Sequence, residues 1–341
     1  MHRLLQSGYR SWTHDEHPQL EFDTAAKLLY EKFPKQYKGV PFDRKMPIAR
    51  YWSQHAFFLR DAYNSASKTK KPLMLSQDFV SLMCNVAWYC VENRDSPDLE
   101  QTISVMLPAV CKENYPVKHP LVYAHLCNSA ARMSAFQGDF ESALLRLEEV
   151  LKIREAELSE HDAETGGTHN NIGNTHYSLR DFDAALEAHL RAGELWRRSP
   201  DFAYSGSGYE WMHNINLCRI HTARGEFEKA KGALVDIGFE EDNFDSPITE
   251  RLVPEVSETR RLLLIQTSDW YYVGDFYRAQ SLLDQALRAY TRCDEICASR
   301  SEADSLEGPS SRLMADCLYK MGHVALQQGN HDTARYVCLY P

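Results

Sequence analysis

The sequence predicts an all-α protein built from repeated antiparallel helical hairpins. Three observations support this prediction. A turn, an aromatic residue or histidine, and an alanine three residues later recur five times. A small residue precedes each turn at a constant distance. Apolar residues around each motif follow the spacing of three and four residues that defines one face of a helix.

The pattern is most complete in residues 168–196. Gly173 lies in a first helix, and Arg180-Asp181 breaks that helix. Phe182 and Ala185 then share one face of a second helix. The other four copies begin at Gly138, Gly225, Gly274 and Gly329 and lead to Ala143, Ala230, Ala279 and Ala334.

Close packing explains why small residues recur. Two antiparallel helices come nearest where their facing side chains are small. Each predicted first helix carries one such residue: Ala131, Gly173, Cys218, Thr267 and Gly322. A single hairpin cannot bury its apolar face alone, so we expect the hairpins to stack and share a core.

These motifs resemble the tetratricopeptide repeat (TPR) family from about Leu73 onward. The resemblance implies a right-handed TPR superhelical solenoid whose concave groove binds other proteins. The alanines at 143 and 185 are 42 residues apart, and residues 152–155 end the second helix as Lys-Ile-Arg-Glu. Both features are similar to the kinesin-light-chain type of repeat.

The N-terminal segment, residues 1–66, has a different pattern. A helix is predicted over 19–32, where Phe33-Pro34 stops it, and Pro47 suits the first turn of a helix through Ala66. With the opening His-Arg-Leu-Leu-Gln, this segment resembles the end of the winged-helix region in fungal NB-ARC–TPR proteins of the STAND class. A plain helical cap for the repeats is the alternative.

The repeat array is predicted over residues 73–341. A degenerate repeat opens it, with Leu99 and Thr102 in place of the aromatic residue and the alanine. Five recognisable repeats follow, and the last is truncated. The sequence therefore predicts either a fragment of a larger protein or a shortened gene model. The extra length between repeats is expected in three connections, at 199–208, 240–254 and 298–311.

Composition restricts the class of protein. The net charge of −10 and a pI of about 5.8 argue against a general nucleic-acid binder. The nine cysteines are scattered and odd in number, which favours reduced thiols in a cytoplasmic protein. No apolar run approaches the roughly 18 residues that span a bilayer, so no membrane partner is expected.

No constellation of catalytic residues is evident. The sequence has no GxxxxGK[ST] phosphate loop and no H-E-x-x-H zinc motif. Cys293 and Cys297 lie four residues apart, and packing is favoured for them over a metal or redox role. The chain is therefore expected to be no enzyme and to need no cofactor or metal.

Polar residues on the first helices suggest a peptide-binding groove. In the TPR resemblance, side chains three before, one after and four after the small residue line that groove, and those two before it flank it. Asn amides can hold a peptide backbone, and arginine can bind a carboxylate bidentately. The predicted peptide-binding residues are Asn128, Arg132, Asn170, Asn171, Asn174, Tyr177, Asn216, Arg219 and Tyr271.

The predicted function is that of a protein–protein interaction scaffold whose groove takes a peptide or partner segment bearing a carboxylate. The family resemblance adds the role of a sensor in a STAND-type receptor. Three alternatives remain open. The Asn and Arg residues would instead satisfy helix ends and neighbouring repeats, the convex face would serve assembly, or the chain would be a non-catalytic subunit of an enzyme complex.

The assigned register leads to a stability prediction. Ala185→Leu should lower the free energy of unfolding by about 1–3 kcal/mol, because extra volume at a close helix crossing forces the hairpin apart. Glu187→Leu, on the predicted solvent side, is the matched control. Thermal melts of both variants test this, and two melts equal to that of the parent would show the register to be wrong.

Overall fold

The computed structural model describes residues 18–38, 42, 45–93, 96–200, 202–236, 239, 270–303, 309–332 and 334–335. Helices dominate these residues, which confirms the predicted all-α class. The chain forms two compact units, Met1–Gln137 and Gly138–Pro341. The sequence predicts that the N-terminal segment ends at residue 66 and that the repeats begin at residue 73. Both positions lie inside the first unit, and these boundaries stay a prediction. Within the described residues, no helix is long and apolar enough to cross a membrane.

Six helices lie in the described part of the first unit. They are α1 (Pro18–Lys32), α2 (Met46–Ala66), α3 (Gln77–Glu92), α4 (Ser96–Lys112), the short α5 (Tyr115–Lys118) and α6 (Pro120–Phe136). Helix α3 is central and packs against α1, α2, α4 and α6. Its sequence explains this position, because a helix that is apolar around most of its circumference must be enclosed on most sides. Its fully buried residues are Phe79, Val80, Leu82, Met83, Val86, Ala87 and Cys90.

A buried arginine joins α2 to α4. Arg60 is only 2% exposed, and its Nη1 donates to the Asp98 carboxylate at 3.0 Å and to Thr102 Oγ1 at 3.1 Å. Thr102 and Leu99 are fully buried. The α3–α4 pair therefore forms where the degenerate repeat was predicted, and Thr102 also acts as a hydrogen-bond acceptor for Arg60.

Besides the helical residues 331–332 and 334–335, the described part of the second unit contains eight helices. They are α7 (Phe140–Glu157), α8 (Ala163–Ser178), α9 (Phe182–Arg198), α10 (Phe202–Ala223), α11 (Phe227–Asp236), α12 (residues 270–279), α13 (Leu283–Ala303) and α14 (Pro309–Gln327). Consecutive helices pack from α7 to α11, and α13 packs against α14. The pairs α8–α9, α10–α11 and α12–α13 are the hairpins of the array.

A left-handed backbone residue marks each turn of the array. It lies two positions before the second helix, where the chain must reverse direction, and glycine adopts this conformation without steric cost. The residues and their φ angles are Gly138 (82°), Arg180 (64°), Gly225 (72°), Ser281 (61°) and Gly329 (74°). This backbone position fixes the repeat register independently of the side chains.

The turn predicted for the fourth copy of the motif, at Gly274, is wrong. Residues 270–279 form one helix through the predicted turn at Gly274, and the chain turns instead at residues 280–282. Ala279 is consequently exposed, whereas Ala286 of the next helix is fully buried. The predicted small residue Thr267 lies outside the described residues. The remaining four alanines are buried as predicted: Ala143, Ala185, Ala230 and Ala334.

Gly274 is needed inside the helix because a ring occupies its side-chain space. A Cβ at Gly274 would lie 2.4 Å from the Tyr290 ring, and one at Gly173 would lie 2.7 Å from the His189 ring. Each ring follows the start of its second helix by seven residues. The small residue therefore accommodates a ring from the partner helix, which makes the contact more specific than a simple close crossing.

Two glycines of α8 allow a matched test of this contact. Gly173→Ala should lower the free energy of unfolding by about 1–3 kcal/mol, because the new methyl group collides with His189. Gly167→Ala should raise the free energy of unfolding by roughly 0.5–1 kcal/mol. No atom lies within 4 Å of the position that the new Cβ would take, and alanine favours a helix more than glycine does. Urea unfolding followed by circular dichroism measures both. Equal and small changes would contradict the ring contact.

Candidate peptide-binding surface

The corrected register defines one surface on the second unit, here called the first-helix face. It consists of the residues three before, one after and four after the small residues Gly173, Cys218, Gly274 and Gly322, on α8, α10, α12 and α14. These residues are Asn170, Asn174, Tyr177, Ile215, Arg219, Thr222, Tyr271, Asp275, Arg278, Tyr319, His323 and Leu326. The residues two before each small residue flank this face: Asn171, Asn216, Tyr272 and Lys320.

Two of the predicted asparagines bind each other. Asn216 Nδ2 donates to Asn170 Oδ1 at 2.8 Å, and both side chains are at most 6% exposed. This bond joins α10 to α8. Asn171 is also buried. Asn170 and Asn216 therefore bind between neighbouring repeats, as the alternative interpretation of the asparagines anticipated.

Arg219 lies at the centre of the first-helix face. Its Nη1 donates to Asn174 Oδ1 at 3.0 Å and to Asn216 Oδ1 at 2.8 Å. Its Cζ atom is 4.4 Å from the Tyr177 ring centroid and 5.2 Å from that of Tyr272. The guanidinium is thus held by α8 and α12 as well as by its own helix. Rings and amide oxygens at these distances favour a cation and limit its rotation.

The half-buried Arg219 makes no ion pair with any residue that the structure describes; its polar partners there are neutral. Burial raises the pKa of Tyr177, although the charge of Arg219 opposes that effect. The tyrosine therefore stays neutral near pH 7. A cation fixed among neutral groups retains its attraction for an external anion.

Asp275 occupies on α12 the position that Arg219 occupies on α10, but it has partners of its own. Its Oδ1 accepts from Tyr290 Oη and from Lys320 Nζ, both at 2.7 Å. Arg278 Nε is 3.5 Å from the same oxygen. The carboxylate is thus compensated within the protein. It also couples α12 to α13 and α14.

Tyr271, the last of the predicted binding residues, is half-buried. Its ring centroid is 5.5 Å from that of Tyr272 and 5.9 Å from that of Tyr290. Lys320 Nζ lies 5.4 Å from the same centroid. Burial raises the pKa of the Tyr271 hydroxyl, with the nearby Asp275 charge adding to the effect. Tyr271 therefore links the aromatic cluster around Arg219 to the Asp275 contacts.

The remaining two predicted residues belong to the first unit. Asn128 is buried on α6. Arg132, on the same helix, is half-buried with its Cζ atom 5.6 Å from the Phe136 ring centroid. The structure thus brings Asn174, Tyr177, Arg219 and Tyr271 together at one surface of the second unit, where Asn170, Asn171 and Asn216 are buried.

The sequence interpretation missed Tyr272, Asp275 and Lys320. A signal for Asp275 was present, because Gly274 precedes Leu283 by nine residues, as Gly173 precedes Phe182. An alanine follows three residues later in both hairpins. This spacing, unlike the Gly-Asp-Phe motif, makes Gly274 the small residue of its helix. Asp275 then takes the position that Arg219 has on α10.

Metal ligation finds no support among the described residues, where no group of three His, Cys, Asp or Glu side chains is arranged to hold an ion. Cys293, Cys297 and Cys317 are fully buried free thiols. Hydrogen bonds with Cys297 and Cys317, together with burial, raise the pKa of Cys293. A protonated, enclosed thiol is a packing residue, as the sequence predicted for Cys293 and Cys297.

The hairpins, their left-handed turns and the small residues define a helical-repeat fold of the tetratricopeptide type. Residues 165–199, which include most of α8 and all of α9, match the family model described as "Tetratricopeptide repeat". No curated protein sequence matches the chain.

Two solved structures are similar in fold. One is NprR in complex with its cognate peptide NprX, at a TM-score of 0.52 and 14% identity, covering 94% of this chain and 76% of that one. The other is a Rap protein complexed with competence and sporulation factor, at a TM-score of 0.53 and 14% identity. That match covers 98% of this chain and 89% of the Rap chain. Identity this low shows similarity of fold alone.

A buried histidine lies close to Arg219. His189 is 1% exposed, and its Nδ1 has no hydrogen-bond partner within the described residues. Burial lowers its pKa from 6.5 to about 3, and the charges of Arg219 and His213 add to the effect. The folded protein therefore holds this ring neutral, while the unfolded chain binds a proton below pH 6.5.

This difference predicts how stability depends on pH. Protonation favours the unfolded state, so the contribution of neutral His189 is complete above pH 6.5. It is lost at about 1.4 kcal/mol per pH unit as pH falls toward 3. His189→Phe keeps a ring against Gly173 but cannot titrate. Urea unfolding of both proteins between pH 6.5 and 4.5 should show a shallower slope for the variant. Parallel slopes would mean that His189 is protonated in the folded state.

Proposed function

We propose that the second unit binds an extended peptide, or the terminal tail of a partner protein, on the first-helix face. Arg219 binds a carboxylate of that ligand. The observation that supports this most directly is a half-buried guanidinium that is held on several sides and has no carboxylate of its own among the described residues.

Local charge favours an anionic ligand despite the net charge of −10. The field at a concave or half-buried surface is governed by the nearest fixed charges, because low-dielectric surroundings screen them poorly. Asp275, the nearest acidic position of the register, is compensated by Lys320 and Tyr290. A ligand carboxylate at Arg219 would form a charge-assisted pair in a site already ordered by protein contacts.

Asn174 is the best-placed asparagine for the ligand backbone. It is only partly buried and accepts one hydrogen bond from Arg219, so its amide NH2 can donate to a peptide carbonyl. Asn170 and Asn216 join α8 to α10 by a hydrogen bond. Ring surface around the carboxylate site comes from Tyr177, Tyr272 and Tyr271. Asn128 and Arg132 stay predicted ligand residues of the first unit.

The structural relatives are consistent with peptide binding. NprR is described in complex with its cognate peptide, and the Rap protein with competence and sporulation factor. Together with the repeat match at 165–199, they favour a non-enzymatic interaction scaffold for this chain.

A wider role follows from the sequence resemblance of residues 1–66 to NB-ARC–TPR proteins. In that role the peptide-binding unit would act as the sensor of a STAND-type receptor in the cytoplasm, with repeats of kinesin-light-chain type. The opening residues 1–17, which carry part of that resemblance, lie outside the described residues.

The proposal is tested by selection from two random synthetic peptide libraries, one with free C-termini and one with amidated C-termini. Peptides selected on the parent chain should be enriched in Asp, Glu or a terminal carboxylate at one position. Arg219→Met should weaken their binding about tenfold to a hundredfold, the range for hydrogen bonds to a charged group. Higher salt should weaken binding as well.

Two control variants make the result specific. Arg219→Lys keeps the charge and a donor for the two Asn oxygens, so it should unfold like the parent and bind with intermediate affinity. Arg198→Met removes an exposed arginine of α9 that pairs with Glu194, and it should bind like the parent. Enriched peptides without any carboxylate, or full binding by Arg219→Met, would contradict the proposal and favour another face.

A further inference from the structure

We infer that the ligand of the first-helix face has two recognition elements: the carboxylate bound by Arg219, and an apolar side chain that packs on α14 about five or six residues along the peptide. The inference rests on the proposed function and adds to it the chemical class of the ligand. Its basis is the difference in character between the two ends of this face.

The α14 end of the face exposes apolar surface. Tyr319 is 69% exposed and Leu326 is 53% exposed, and the exposed His323 lies between them. A spacing of four and then three residues places all three on one side of the helix. By register they are the counterparts of Asn170, Asn174 and Tyr177 on α8. The same groove positions are therefore polar at one end and mostly apolar at the other.

The middle of the face has no uncompensated charge. Asp275 accepts hydrogen bonds from Tyr290 and Lys320, and Arg278 lies beside it. Tyr271 and Tyr272 supply ring surface between the two ends. A ligand that crosses α12 thus meets neutral or compensated groups, and a second carboxylate there would gain little. The charge pattern selects one anionic group near α10 and apolar contact near α14.

The spacing follows from contacts between successive first helices. Arg219 of α10 reaches Tyr272 of α12, and Lys320 of α14 reaches Asp275 of α12. Neighbouring helices in direct contact lie about 8–10 Å apart, so two steps span roughly 16–20 Å. An extended chain covers about 3.3 Å per residue, which places the two groups about five or six positions apart in the peptide.

The experiment uses synthetic fluorescent peptides of Gly and Ser that carry one Asp and one Leu. The number of residues between them is varied, and Asp-only and Leu-only peptides serve as references. Fluorescence anisotropy with the full chain should show the highest affinity at a spacing of about five or six. That affinity should exceed Asp-only binding about tenfold or more, because a leucine side chain is removed from water.

Variants separate the two elements. The double variant Tyr319→Ser with Leu326→Ser changes exposed side chains, so it should fold like the parent by circular dichroism. It should bind the Asp–Leu peptide no better than the Asp-only peptide. Arg219→Met should weaken binding of both peptides, and Leu145→Ser, which changes an exposed leucine of α7, should weaken neither.

Each other outcome decides against the inference. Equal affinity of Asp-only and Asp–Leu peptides at every spacing would overturn it and leave the carboxylate site of Arg219 standing. Failure of all Asp-containing peptides to bind would overturn the proposed function as well. A double variant with parental peptide affinity but a smaller sedimentation coefficient would assign the α14 surface to contact between copies of this chain.

Discussion

The second unit depends on aromatic rings that fill the side-chain space of glycines on the neighbouring helix. His189 against Gly173 and Tyr290 against Gly274 are equivalent contacts in two hairpins. A third ring, His213, meets Gly193 between α10 and α9, where a Cβ would lie 2.4 Å away. Any larger residue at these glycines would require the ring to move. The contacts therefore fix which residues of each helix face the next one.

That register also positions the polar contacts between first helices. Once the small residue is fixed, the side chains before and after it must lie beside the neighbouring first helix. Asn216 reaches Asn170, Arg219 reaches Asn174, and Lys320 reaches Asp275. Buried amides and charges are tolerated here because each is paired, and an unpaired one would destabilise the fold. Apolar contacts within and between hairpins, together with these polar contacts between first helices, hold the array together.

The same polar contacts produce the difference between Arg219 and Asp275. Both follow the small residue of their helix directly, but Asp275 has Lys320 and Tyr290 within reach. The polar neighbours of Arg219 are two amides and two phenol rings. His189, kept neutral beside it by burial, adds no second positive charge. In the proposed function, binding on this face depends on the few groups that have no opposite charge among the described residues.

The sequence by itself determined the all-α class, four of the five hairpin registers and the buried alanines, because helical periodicity and turn residues are local properties of the chain. It misplaced the fourth hairpin because Gly-Asp-Phe at 274–276 copies the turn at 138–140, while only the Tyr290 ring, sixteen residues away, shows what Gly274 is for. Only the tertiary structure decided which of the predicted asparagines form hydrogen bonds inside the protein. Asn170 and Asn216 lie forty-six residues apart, and no local pattern states whether two amides will meet. The charge state of the surface was likewise decided by partners that each come from a different helix.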